Sequence, residues 1–180
     1  MRVRSCAYGS LALGVACLVT SCATTAPQIP EAAPPVSAQQ QTAAEQAAQS
    51  AALAWFELLD AEKYTESWAA ASTPFRQYSW SQSRWRSMIK WGRVRLGPLH
   101  SRRLQSAVFV QTVPEHTAEG RWLAGRRGEY VIVGFASSYG HFNVTETVIV
   151  MKDSDGVWRV ADYYIASGDA QACTGSRMCE

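Results

Sequence analysis

The chain has 180 residues, enough for one domain with a proper core. Its hydrophobic share of 47% and its seven tryptophans exclude a chain too polar to fold. The formal charge is +2, and without Arg2 and Arg4 the basic residues equal the acidic ones at 15 each. Net charge therefore makes no case for nucleic acid.

The first residues read as a processing segment. Arg2 and Arg4 form a positive start, and Leu11 to Val19 is an apolar run too short to span a bilayer. Leu18-Val19-Thr20-Ser21-Cys22 follows, and it resembles the lipobox of bacterial lipoproteins. That resemblance implies cleavage of residues 1–21. It also implies a diacylglycerol thioether on Cys22, usually with an amide-linked acyl chain such as palmitate. An ordinary secretory peptide cut elsewhere is the plainer alternative. Two or three acyl chains anchor stably where one is marginal, each buried CH₂ contributing about 0.8 kcal/mol. Ala23 rather than an aspartate follows the cysteine, so the resemblance points to the inner leaflet of the outer membrane, facing the periplasm. Cys6 and Cys17 leave with the leader, and Cys173 and Cys179 remain in a short tail, 168–180. In an oxidising compartment they are expected to pair, in a loop worth roughly 2 kcal/mol to the tail alone.

Residues 22–43 are rich in Ala, Pro, Gln, Ser and Thr and read as a tether. From Ala43 the spacing turns helical, with Ala48, Ala51, Ala52, Trp55, Leu58 and Leu59 on one face. Asp60-Ala61-Glu62 interrupts it. A second short helix presents Tyr64 and Trp68, and Pro74 excludes its continuation. A third helix opens at Ser79 or Ser81, buries Trp85, Met88, Ile89 and Leu96, and stops at Gly97-Pro98.

Four strands follow. The first covers Arg102 to Thr112, with Leu104, Val108 and Val110 among its apolar positions. The loop from Pro114 to Arg127 is long for a hairpin. Val131, Val133 and Phe135 then alternate, as do Phe142, Val144, Val148 and Val150, and Trp158, Val160 and Tyr164. Tyr139-Gly140-His141 and Asp153-Ser154-Asp155-Gly156 sit where turns belong. Helices followed by an antiparallel meander predict an α+β domain over 44–167, the helices packing on a curved four-stranded sheet.

These residues carry a resemblance. The run Ala54 to Tyr64 with Ser67-Trp68, Phe75-Arg76, Trp85, Arg95-Leu96-Gly97 and Ser101-Arg102 is similar to the bacterial domain of unknown function 4019. Gly128-Glu129-Tyr130-Val131, Glu146-Thr147-Val148, Asp155 to Val160 and Tyr163-Tyr164-Ile165 complete it, over about Ala48 to Ile165. The resemblance implies a small α+β module, a cone-shaped relative of the nuclear-transport-factor-2 superfamily, and no established activity. The long loop and Asp162, where a glycine is commoner, depart from the family pattern.

No dinucleotide fingerprint, phosphate loop, nucleophile elbow or zincin motif occurs, so no cofactor is implied. His100, His116 and His141 have no ligand spacing, and no metal site is expected. Glu146 and Asp162 each interrupt an apolar alternating face, and with Trp158 and Tyr164 they mark a possible pocket. A carboxylate in such a cavity would have a raised pKa and could act as a general base. Paired with an arginine, it would only be structural. A second feature is a basic run holding Arg76, Arg84, Arg86, Lys90, Arg93, Arg95, Arg102 and Arg103, with no acidic residue from Pro74 to Pro114. Arg84, Lys90, Arg93 and Arg102 are its anion-binding candidates, for lipid phosphates or an anionic envelope glycolipid. A solvated face paired with Glu57, Glu62 and Glu66 is the plainer reading. Trp55, Trp68, Trp85 and Trp158 recur at core spacing, whereas Trp122 stands in the long loop as a contact residue. The expected partners are a membrane through the anchor and another envelope protein or glycolipid. Two functions remain open: a non-catalytic binding or assembly domain, and a small enzyme using Asp162 or Glu146.

Overall fold

Ser37 starts the first helix. Its Oγ accepts a hydrogen bond from the Gln40 amide while the Gln40 side chain accepts from the Ser37 amide, a reciprocal cap. Helix α1 therefore runs Ala38–Asp60 and claims residues 38–43, which the composition assigns to the tether. Alanine and glutamine favour helix once Pro34 and Pro35 are passed. This computed structural model describes residues 36–114 and 122–167. The leader, Cys22, most of the tether, His116, Cys173 and Cys179 lie outside the described residues.

Helix α2 covers Tyr64–Ala70, a single π-helical turn covers Phe75–Ser79, and α3 covers Gln82–Leu96. Of the two possible caps of α3, Ser81 is the one used, its Oγ accepting from the Arg84 amide. Strands β1 (Leu99–Thr112), β2 (Arg127–Tyr139), β3 (Asn143–Lys152) and β4 (Trp158–Ser167) pair antiparallel in that order. The α+β arrangement read from the sequence is the one found.

The inner face of the sheet meets α1. Trp55, Phe56 and Leu59 bury against Val131, Val133, Phe135, Val148, Val150, Val160 and Tyr163 in one core, which Trp85 and Ile89 of α3 also enter. Ser67 joins the helices: its carbonyl accepts from the Trp55 indole at 2.8 Å and its Oγ from the Trp85 indole at 2.9 Å. Buried indole N–H groups need such partners, and here they fix the angle of α2 between its neighbours.

Two irregularities change which side chains face this core. In β4, Ile149 stands opposite Asp162 but Val150 opposite Val160, so Ala161 is an extra residue. Beyond it the alternation flips: Tyr163 faces the helices, whereas Asp162 and Tyr164 share the outer face with Ile149 and Thr147. The single face Trp158-Val160-Asp162-Tyr164 suggested by plain alternation is thus not formed. In β1 a shift between Leu104 and Ser106 puts Ala107 and Phe109 against the core and leaves Val108 exposed on the other face. At its open edge the Phe109 amide donates to Glu45 of α1 at 3.0 Å, which blocks one unpaired edge group.

The outer face carries a second, smaller core of Val113, Leu123, Tyr130, Ile149 and Ala161. Trp122, expected to be a loop contact residue, is partly buried against it and lies 6.3 Å from the Tyr78 ring. The end of the long loop folds back onto the sheet through a Val113–Ala124 bridge, which withdraws the indole from the surface.

Candidate functional site

Glu146 is wholly buried on the inner face of β3. Its Oε1 accepts from the Tyr139 hydroxyl at 2.9 Å and the Tyr163 hydroxyl at 2.6 Å. Its Oε2 accepts from Arg102 Nε at 2.8 Å and from the Ser137 hydroxyl. Four donors match the roughly four lone-pair sites of a carboxylate. Each donor arrives by a structural device. Ser137 and Tyr139 continue the inward alternation of Val131, Val133 and Phe135 along β2. Tyr163 is turned inward by the β4 bulge, and Arg102 reaches across β2 from β1.

A second carboxylate completes the cluster. Asp60, at the end of α1, accepts from Arg93 Nη1 at 2.7 Å and from Arg102 Nη1 at 2.7 Å. Arg93 Nη2 lies 3.7 Å from Glu146 Oε1. Two guanidinium groups and two carboxylates cancel one another. Buried charge is tolerated only when paired and hydrogen-bonded in this way. The Arg102 guanidinium also lies 3.8 Å from the Phe56 ring centroid, and that of Arg93 5.5 Å from the Tyr139 ring.

Burial by itself would raise the Glu146 pKa, but the Arg102 charge and the bonds from Arg102, Ser137 and Tyr163 bring it below its ordinary value of 4.5. Tyr139 and Tyr163 are pushed upward, first by burial and then by the Glu146 charge, so both remain neutral donors. Burial opposes the charge of Arg102, yet Asp60 and Glu146 raise its pKa overall.

A cleft of about 340 Å³ opens onto one side of this cluster, with Asp60, Tyr64, Arg93, Val94, Pro98 and Tyr139 in its walls. The end of α3 and the β2–β3 turn are joined there: the Gly140 amide donates to Pro98 O at 2.8 Å and that of His141 to Leu96 O at 3.1 Å. A Cβ at Gly140 would come within 2.8 Å of Pro98 Cδ, so glycine permits the approach that sets Tyr139 beside Arg93. A small polar molecule would meet Asp60 there, while Glu146 stays behind a layer of side chains.

The four possible pocket residues do not come together. Glu146 lies opposite Ile165 on β4, Trp158 stands at the far end of that strand opposite Lys152, and Asp162 and Tyr164 are on the outer face. Trp158 instead lines a separate depression with Gln40, Ala44, Phe109 and Glu129. Asp162 Oδ1 accepts from the Tyr163 amide at 2.9 Å. The anion-binding set also divides. Arg93 and Arg102 are committed to Asp60 and Glu146, because both are buried and need countercharge. Arg84 and Lys90 are exposed, and among the described residues they form no ion pair with Glu57, Glu62, Glu66 or any other acid.

Asp60, Ser137, Tyr139 and Tyr163 are site residues that sequence reasoning passes over. Ser137 and Tyr139 carry a signal, since two polar residues extend an apolar period-two run toward the strand bearing Glu146. Arg93 carries one too, four residues after Ile89 and eight after Trp85 on the buried stripe of α3. Among the described residues no group of three or more His, Cys, Asp or Glu is placed to hold a metal.

Kinship follows from comparison. The family described as protein of unknown function (DUF4019) matches residues 51–163. The chain belongs to this family. No curated protein and no solved structure matches it. Asp60, Arg93, Arg102, Glu146 and Tyr163 all lie within the residues matched to DUF4019.

Proposed function

We propose that this DUF4019 protein is a lipid-anchored protein of the cell envelope whose folded domain binds or assembles rather than catalyses. The observation that carries the second half is the state of Glu146. A general base needs a free lone pair and a pKa near the working pH. Glu146 has its lone pairs filled by Arg102, Ser137, Tyr139 and Tyr163, and its pKa is lowered rather than raised. Such a carboxylate locks strands and helices together, which suits a rigid module that presents its outer surface. The anchor is supported by the lipobox-like run ending at Cys22, and it would place the domain at the outer membrane, facing the periplasm.

Two measurements test the reading. Cells fed an alkyne fatty acid should label the wild type in the membrane fraction, and Cys22→Ser should lose the label; a labelled Cys22→Ser chain would refute the anchor. For the domain, the infrared spectrum near neutral pH should show no protonated buried carboxyl band attributable to Glu146. Such a band, absent from Glu146→Gln, would favour an enzyme with Glu146 as its acid or base.

A further inference from the structure

Helix α3 divides its surface between two surroundings. Trp85, Ile89, Arg93 and Leu96 are buried, a stripe that fits about 100° per residue. The same periodicity puts Ser87, Trp91 and Val94 on the opposite ridge. There Trp91 is 64% exposed and Val94 71%. Lys90 flanks the ridge on one side, with Arg86 further round toward the buried stripe where both share a depression with Glu62, and Arg84 and Arg95 flank it on the other. All four are exposed, none has an ion pair among the described residues, and α3 contains no acidic residue. The Arg95 guanidinium lies 4.5 Å from the Trp91 ring centroid, so a cation already travels with the indole.

The arrangement is the reverse of an ordinary solvated face, where charge sits at the centre and apolar groups at the margin. An apolar ridge with cations along both sides fits a plane at which hydrocarbon meets anionic headgroups. Indole favours that depth, and Arg and Lys reach the phosphates beside it. A protein groove would need acidic groups on both of its rims at the same spacing, whereas a lipid surface supplies anions wherever the cations fall. We propose that the outer face of α3 docks on an anionic lipid surface, with Trp91 and Val94 at the interface and Arg84, Arg86, Lys90 and Arg95 on lipid phosphates. The proposal rests on the binding-domain reading, and it does not require acylation of Cys22.

The test uses residues 22–180 carrying Cys22→Ser, so that neither acyl chains nor the apolar leader contributes. It is sedimented with vesicles of phosphatidylcholine alone or mixed with phosphatidylglycerol. Tryptophan emission is followed with brominated acyl chains in the same vesicles. Binding should require phosphatidylglycerol and weaken as salt rises. Arg86→Ala/Lys90→Ala should weaken it about tenfold or more. Trp91→Phe should reduce the quenching while circular dichroism stays unchanged, with part retained by Trp80, whose ring lies 5.3 Å from the Arg84 guanidinium. Equal partition into both kinds of vesicle would overturn the proposal. So would anionic binding that neither Arg86→Ala/Lys90→Ala nor Arg84→Ala/Arg95→Ala reduces, which would place the contact elsewhere. Full displacement by soluble glycerol phosphate at matched phosphate concentration would show a small-anion site instead and overturn it as well. The fatty-acid label and the Glu146 infrared band are read separately, so failure here is distinguishable from failure of the broader reading.

Discussion

Nε of Arg102 on β1 donates to Oε2 of Glu146 on β3 across 2.8 Å, over 44 residues of sequence and past the intervening strand β2. The same guanidinium reaches Asp60 at the end of α1. One side chain thus ties the first strand, the third strand and the first helix. Arg102→Met should cost about 3–5 kcal/mol, because it leaves the buried Glu146 carboxylate without its hydrogen-bonded cation. Arg102→Lys should restore only part of this, since an ammonium cannot present the planar fork that serves both acids. Urea unfolding of the three chains, followed by circular dichroism, checks the order.

Stability should also depend on pH through Glu146. Burial pushes its pKa up, but Arg102 and the hydrogen bonds around it bring it below the ordinary 4.5. A carboxyl with a folded pKa below its unfolded one stabilises the fold above the unfolded value, and the contribution disappears as pH falls through the folded value. Urea midpoints should therefore be level near neutral and fall below about pH 4.5. The fall should be shallower in Glu146→Gln, which cannot titrate there. An equal acid response in both chains would assign the loss to other carboxylates, such as Asp153, which also has a lowered pKa.

Three tryptophans should separate by environment. Trp85 is fully buried, and removal of its ring should cost about 3–5 kcal/mol. Trp91 is exposed, so Trp91→Ala should stay within about 0.5 kcal/mol. Trp122 packs on the smaller outer core and should fall between them, near 1–3 kcal/mol. Denaturation midpoints of the three variants decide the order, and equal midpoints for Trp85→Ala and Trp91→Ala would mean that α3 is not docked.

How far the sequence could be read depended on whether periodicity stayed unbroken. The three helices, Pro74, the turn at Gly156 and the alternation of β2 were legible because each rests on local sterics or a repeating face. The face of β4 was not, because one extra residue at Ala161 reverses the alternation without changing composition. That reversal sent Asp162 outward and put Tyr163, rather than Tyr164, on Glu146. Glu146 stood out as a carboxylate on an apolar strand, and Arg102 and Arg93 stood out as cations. Their pairing did not, since it depends on how three elements meet in space. The start of α1 is not marked by composition: alanine and glutamine serve a tether as readily as a helix until the cap at Ser37 decides between them.

The central claim is that Glu146 is a fixed, ionised partner of Arg102, and a double-mutant cycle tests it most directly. Glu146→Gln, Arg102→Met and the double variant are unfolded in urea beside the wild type, with the exposed Lys152–Glu129 pair as reference. The buried pair should show a coupling energy of about 2 kcal/mol or more, because each single change strands a buried partner. The exposed pair should give about 0.5 kcal/mol or less. A Glu146–Arg102 coupling no larger than that of the exposed pair would contradict the claim, and it would reopen Glu146 as a free carboxylate available for chemistry.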